Sequence, residues 1–274
     1  MSNPNVKTEK SAKSSSFSTL FASILIPVAI LIGILVFMFV LGDPSNFEEG
    51  NPKGHPLPGN YLGMMYKGGY LVPVLMGLMI IVISVIVERS VTLNVASGKG
   101  SIPNFVRRIK GLLDRGDVSG AVVECDKQRG SVANVIREGL RKYQEMENTP
   151  GMEKDQKVLA IQKEIEEATS LELPMLEKNL VILATISSVA TLMGLLGTVF
   201  GMIRAFSAIA TAGAPDAVAL STGISEALIN TALGISTSAI AIIAYNYFTT
   251  KIDGLTYGID EAGFSIAQSY AAKH

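Results

Sequence analysis

Four long stretches of this chain carry almost no charge, and they limit the possible folds more than any other feature. They run over about residues 20–42, 70–88, 179–206 and 217–250, and they hold one basic residue, Arg204, and one acidic residue well inside an apolar run, Glu226. A helix needs about 20 apolar residues to cross a bilayer, and each stretch reaches that length or comes close to it. Inside lipid every backbone N–H and C=O must be satisfied within the protein, which leaves helices or closed barrels. No segment shows the period-two alternation of a strand. The expected class is therefore all-α: a polytopic membrane protein with four transmembrane helices. Charged residues make up 17% of the chain, against about 25% in a soluble domain.

The connections differ from one another. Residues 43–69 are rich in Pro and Gly and read as an irregular loop. Residues 89–178 form a charged block, and residues 207–216 a short turn without a basic residue. Basic residues then orient the chain. Lys7, Lys10 and Lys13 lie in the 1–19 tail, Arg89, Lys99, Arg107, Arg108 and Lys110 follow the second stretch, Lys178 precedes the third, and Lys251 opens the 251–274 tail. All of these fall on one side if both termini are cytoplasmic and residues 43–69 and 207–216 lie outside. The first stretch also resembles a signal peptide, but its apolar run of about 22 residues exceeds the roughly 7–15 of such a core. A retained span is the expected reading.

Within the 89–178 block the periodicity is helical. Ile102, Phe105, Val106, Ile109, Leu112 and Leu113 form a stripe over residues 102–114, and residues 118–126 and 131–146 read as two further helices. From about Glu153 a helix is expected to run directly into the third stretch, with Pro174 as a kink.

Several function classes drop out. A net charge of -1 gives no reason to expect nucleic-acid binding. One cysteine, Cys125, rules out a disulfide within the chain, and the two histidines, His55 and His274, do not make a metal site. No metal and no cofactor is expected. The SGKGS segment at 97–101 lacks the spacing of a phosphate-cradling loop. Cys125 has no nearby activating His and reads as an inert thiol.

Glu226 carries the chemistry. A carboxylate near the bilayer centre costs roughly 2.5–3.5 kcal/mol on insertion scales, and such residues mark ion pathways by default. Nine residues separate it from Ala217, about 14 Å along a helix, which puts it near mid-depth. Burial disfavours the charged form of a carboxyl, and a carboxyl that can become neutral is what a proton relay requires. A small or polar stripe surrounds it: Gly223, Ala227, Asn230, Thr231, Gly234, Thr237, Ser238 and Ala241. The third stretch has a matching one: Ser187, Thr191, Gly194, Thr198, Gly201 and Ala205. Small residues permit close helix contact and hydroxyls bond across it, so packing is one reading and a weakly polar lining the other. Gly194, Gly197, Gly201, Gly223 and Gly234 fit packing. Thr191, Thr198, Asn230, Thr231 and Ser238 fit a lining. Arg204 is expected at the outer boundary, snorkelling, or paired with a carboxylate such as Asp216 or one on a partner.

The residues LEKNLVILATISSVATLMGLLGTVFGMIRAF (176–206) and GISEALINTALGISTSAIAIIAYNYF (223–248) resemble the last two spans of the MotA/TolQ/ExbB proton-channel family, in its ExbB/TolQ branch. The second span, ending in VERSV, and the block LLDRGDVSGAVVECDKQRGSVANVIREGL extend the resemblance to about residues 64–252. The first span is then an addition to the family's three. The resemblance implies a homo-oligomer, most often a pentamer, around a single-span ExbD/TolR-like partner. Proton flow through it would drive a TonB-like or TolA-like protein from the bacterial inner membrane. It also implies that Thr198, Glu226 and Thr231 occupy the family's motif positions, with a partner aspartate as ionisable carrier, and that the chain is not an enzyme. Thr191 and Ile240 stand where relatives often have Pro. The alternatives are a MotA-like motility stator, which has four spans but a longer tail and no GI-x-EAL signature, and a non-conducting scaffold.

Overall fold

A computed structural model of the chain describes residues 24–52, 54–211 and 217–273. The 1–19 tail, half of the 207–216 turn and Asp216 as a partner for Arg204 lie outside the described residues, and the other half of that turn is helical. Among those described there is no strand, only an isolated bridge between Phe47 and Pro56. Four helical stretches are long and apolar enough to cross a membrane: Ile24–Leu41, and one within each of Gly69–Leu113, Lys154–Ser207 and Val218–Lys273. The chain is an all-α polytopic membrane protein. It divides into two compact units, Met1–Val85 with Ile182–Ile243, and Ile86–Val181 with Ala244–His274.

The first unit holds α1 (Ile24–Leu41), α2 (Tyr61–Tyr66) and most of α3 (Val72–Ser97), α8 (Leu180–Thr211) and the first half of α9 (Ala217–Lys273). Residues 43–69, expected as an irregular loop, contain α2 and short 3-10 turns and are firmly tied down. Asn46 Nδ2 donates to the carbonyls of Val40 and Leu41 at 2.8 and 3.1 Å, satisfying acceptors that the end of α1 leaves open. Asn60 caps α2 through Leu62 N and Gly63 N. Tyr66 stacks on Phe37 at 4.6 Å and meets Phe47 edge-on at 5.4 Å.

The seam between α8 and α9 follows from the two small-residue stripes. A methyl group built on Gly201 would lie 2.6 Å from the Gly223 carbonyl oxygen, and one on Gly234 2.6 Å from that of Ala190. Gly194 and Gly197 face Asn230 and its neighbours, and Gly223 faces Ala205. All five glycines that fit packing thus lie where the two backbones meet, as small residues do between membrane helices.

The second unit contains α4 (Ile102–Leu113), α5 (Val118–Gln128), α6 (Gly130–Glu147), α7 (Lys154–Glu177) and the second half of α9. The predicted stripe of α4 buries Phe105, Val106, Ile109 and Leu113. The 251–274 tail is no separate appendage. It continues α9 to Lys273 and buries Ile252, Leu255, Ile259, Ala262, Ile266 and Tyr270, a helical stripe. Tyr270 meets Tyr143 edge-on at 4.8 Å. Cys125 is buried, and burial pushes its thiol up to about 12, so it is inert.

One expectation is corrected here. The helix from residue 153 does not run directly into the third stretch. α7 ends at Glu177, Lys178 is extended (φ -53°, ψ 142°), and Asn179 is left-handed with φ 64°, a conformation that Asn tolerates better than most residues. In an unbroken helix the carbonyls of Met175 and Leu176 would accept from residues 179 and 180. Instead both accept from Arg89 Nη1, at 3.4 and 3.2 Å. Arg89, used above only to orient the chain, is buried. It is 2% exposed, and its Nε donates to Glu88 Oε2 at 2.6 Å while Nη2 pairs with Glu88 Oε1.

Candidate proton-pathway site

Glu226 sits on the third turn of α9, 8% exposed at its side chain. Its two carboxylate oxygens both accept from Arg204 Nη1, each at 2.8 Å. Arg204 is the lone charge of α8 and is half exposed. Its guanidinium also lies over the Tyr70 ring, 5.6 Å from the centroid, within cation–π reach. Gly69, which opens the short turn leading into α3, has φ 76°, a left-handed value that glycine adopts without strain. It lies against Glu226 so closely that a side chain there would strike the Glu226 carboxylate. The backbone at 68–70 thus closes over the pair.

One turn along α9, Asn230 is fully buried. Its Nδ2 donates to the carbonyl of Gly68 at 2.7 Å and to that of Glu226 at 3.0 Å. Its Oδ1 has no hydrogen-bond partner among the described residues. Further along the seam, the Thr198 and Thr231 hydroxyls bond each other, and both reach the Gly194 carbonyl, at 3.4 and 3.3 Å. Ser238 donates to the Ser187 carbonyl. Thr191 turns to its own helix, at 3.5 Å from the Ser187 carbonyl. Ser187 and Ser238, then Thr198 and Thr231, then Asn230, then Arg204 and Glu226 form a series of polar contacts between two apolar helices. Twelve residues of α9 separate Ser238 from Glu226, about 18 Å.

The structure brings Glu226, Asn230, Thr198, Thr231 and Ser238 to one seam and leaves Thr191 bonded within its own helix. A cavity of about 400 Å³ is lined by Ser221, Thr222 and Ser225 of α9 with His55 and Lys67 of the 43–69 segment. Sequence reasoning missed Arg204 as the partner of Glu226, and it missed the closing backbone at Gly68 and Gly69. The first was within reach. Arg204 lies seven residues before the end of α8, and Glu226 nine after the start of α9. Two lone charges at similar distances from one turn share a depth, and long side chains at one depth can meet.

Comparison with known proteins addresses the same region. The sequence model of the MotA/TolQ/ExbB proton channel family matches residues 127–261. The chain is 33% identical over 124 residues to the Tol-Pal system protein TolQ of Pseudomonas aeruginosa, covering 45% of this chain and 54% of that one. It is 26% identical over 207 residues to the biopolymer transport protein ExbB of Pseudomonas putida, covering 74% and 61%. It is 43% identical over 81 residues to the biopolymer transport protein ExbB of Helicobacter pylori, covering 30% and 56%. These matches span between about half and three fifths of the relatives' own lengths.

Proposed function

Because the chain belongs to the MotA/TolQ/ExbB proton channel family, we propose that it is the multi-span subunit of a proton-driven motor, in the manner of proteins named for biopolymer transport and the Tol-Pal system. The observation that carries the reading is the Arg204–Glu226 pair, buried on its carboxylate side between two otherwise apolar helices inside the matched region. Charges are retained at such depth against a cost of several kcal/mol when they serve an ion path. The polar series from Glu226 through Asn230, Thr198 and Thr231 to Ser238 is the route along which a proton or a partner carboxylate would pass. No step of this is enzymatic.

In this reading the protein stands in a bacterial inner membrane as a closed ring, most simply of five copies, around an ExbD/TolR-like helix. It passes work to a TonB-like or TolA-like protein. Head-to-tail contacts that close give such rings. Reconstitution in liposomes tests it. Proton flux under an imposed potential is expected only when the single-span partner is reconstituted too, and native mass spectrometry of that complex should give a single ring stoichiometry. Equal flux with and without the partner sinks the motor reading. A monomer sinks the ring.

The orientation proposed for this assembly has both termini cytoplasmic and residues 43–69 outside. With Cys125 buried and inert, a cysteine introduced at Pro52 becomes the reporting thiol. Labelling of Pro52→Cys by an impermeant maleimide from the outer face alone is expected. Labelling from the cytoplasmic face alone reverses the topology.

A further inference from the structure

We infer that Arg204 is a positioning residue of this site: it holds Glu226 as the charged half of an intrachain pair, and Glu226 takes up a proton only when Arg204 lets go. The inference deepens the reading of Glu226 as a proton-pathway residue and rests on it. It starts from a geometric asymmetry. Glu226 is almost wholly enclosed, with Arg204 Nη1 on both oxygens and the Gly69 backbone against its carboxylate, whereas Arg204 is half exposed. Of the two, only the arginine is free to swing away.

The charges around the pair are few. α9 brings no other ionisable side chain between Val218 and Ala244, and α8 brings none but Arg204. The segment entering α3 brings Tyr70, whose ring lies under the guanidinium, and Lys67, whose Nζ donates to the Pro52 carbonyl at 3.0 Å. A proton placed on Glu226 while Arg204 stays would therefore leave a cation among apolar helices with no counter-charge from these elements. Separating the two removes that penalty, because a half-exposed guanidinium can turn outward, as long basic side chains do near a membrane boundary.

The neutral state has a place to go as well. A protonated carboxyl is a donor and needs an acceptor. One helical turn away, Asn230 keeps a fully buried Oδ1 with no partner among the described residues. Buried acceptors are rarely left so. The site thus has a donor on the carboxylate and, one turn along α9, a buried acceptor without a partner among the described residues.

Dicyclohexylcarbodiimide reads this directly, since it adds to a carboxyl in apolar surroundings only when that carboxyl is protonated. The full-length protein in detergent would be labelled and the modified residue located by peptide mass spectrometry. At neutral pH the wild type and Arg204→Lys should resist labelling at Glu226. Arg204→Gln should label several times faster. The double variant Arg204→Gln with Glu226→Gln should not label there. Equal rates in wild type and Arg204→Gln overturn the inference. The wild type alone also decides, should Arg204→Gln not fold: labelling that rises steeply as the medium is acidified supports the inference, and rapid labelling at neutral pH or a flat profile overturns it. Loss of transport in Glu226→Gln tests the proposed function separately, because labelling requires neither partner nor energised work.

Discussion

Replacing Glu226 by glutamine is expected to abolish proton-driven work while leaving the protein folded and assembled. Glutamine keeps the size and the planar head of glutamate but can neither carry the charge that Arg204 binds nor release a proton. A proton crossing 100 mV releases about 2.3 kcal/mol, and a motor captures it only if passage is tied to movement. Glu226 is the lone acidic group of the α8–α9 seam, so under the proposed function its removal would take away the point at which exchange and movement are joined. The fold should tolerate the change. The contacts that bring α8 and α9 together belong to Gly194, Gly201, Gly223 and Gly234, and the Asn230 bond one turn away goes to the Glu226 backbone carbonyl, which any residue supplies. Arg204 is half exposed, so on losing its partner its guanidinium can turn outward, as long basic side chains do near a membrane boundary. Growth or uptake that depends on the energised system, measured with the natural partner present, should fall to the level of a deletion, while native mass spectrometry still finds the ring. Full activity in Glu226→Gln would remove Glu226 from the pathway.

Glu226 shows where sequence alone reaches and where it stops. A carboxylate among GISEALINTALGI stands out because it is the one charged residue in that run. The helices stand out for the same reason, since charge is excluded from them and concentrated between them. Partners across the fold are harder to read. Gly69 is one glycine of a Gly-Gly pair in a loop full of glycine, and only its approach to the Glu226 carboxylate gives it meaning. The Thr198–Thr231 contact could be foreseen as a pair of small-residue stripes, but not as hydroxyls that share the Gly194 carbonyl. The tail is a different case. Ile252, Leu255, Ile259, Ala262, Ile266 and Tyr270 recur at helical spacing. Continuation of α9 was legible there and was obscured by reading the span's end as the helix's end.

Arg89 shows the limit of charge patterning. It follows an apolar stretch, and basic residues there report orientation. That remains an adequate reason for a positive charge, and it says nothing of the side chain's contacts. The VERSV segment places Glu88 and Arg89 side by side. Glu88 then collects Arg89, the Thr92 hydroxyl at 3.1 Å and Asn179 Nδ2 at 3.3 Å. What Arg89 does with its remaining donors depends on carbonyls 86 and 87 residues away, just before the break at Lys178–Asn179, and no local pattern announces that.

Replacing Arg89 by alanine should accordingly destabilise the second unit strongly. Three losses coincide. Glu88, 26% exposed, keeps its charge but loses the guanidinium. The carbonyls of Met175 and Leu176 lose their donor just where the helix has broken. A large, fully buried side chain also leaves a void. Removing one partner of a buried pair costs about 3–5 kcal/mol, and each orphaned buried acceptor about 1–3 kcal/mol more when no water reaches it. A total of at least ~3 kcal/mol is expected even if water fills part of the space. Arg89→Lys keeps the charge but not the planar fork that serves carboxylate and carbonyls at once, so it should fall between. Arg107→Ala, at an exposed position of α4, should change little, as surface substitutions do. Thermal unfolding of the three variants in detergent, with limited proteolysis across Lys178–Asn179, orders them. The turn should become the first site cut in Arg89→Ala, because Arg89 supplies the bonds that replace the missing helical ones. An Arg89→Ala protein that melts with the wild type and is cut no faster at the turn would show that the break is held by α7 and α8 themselves.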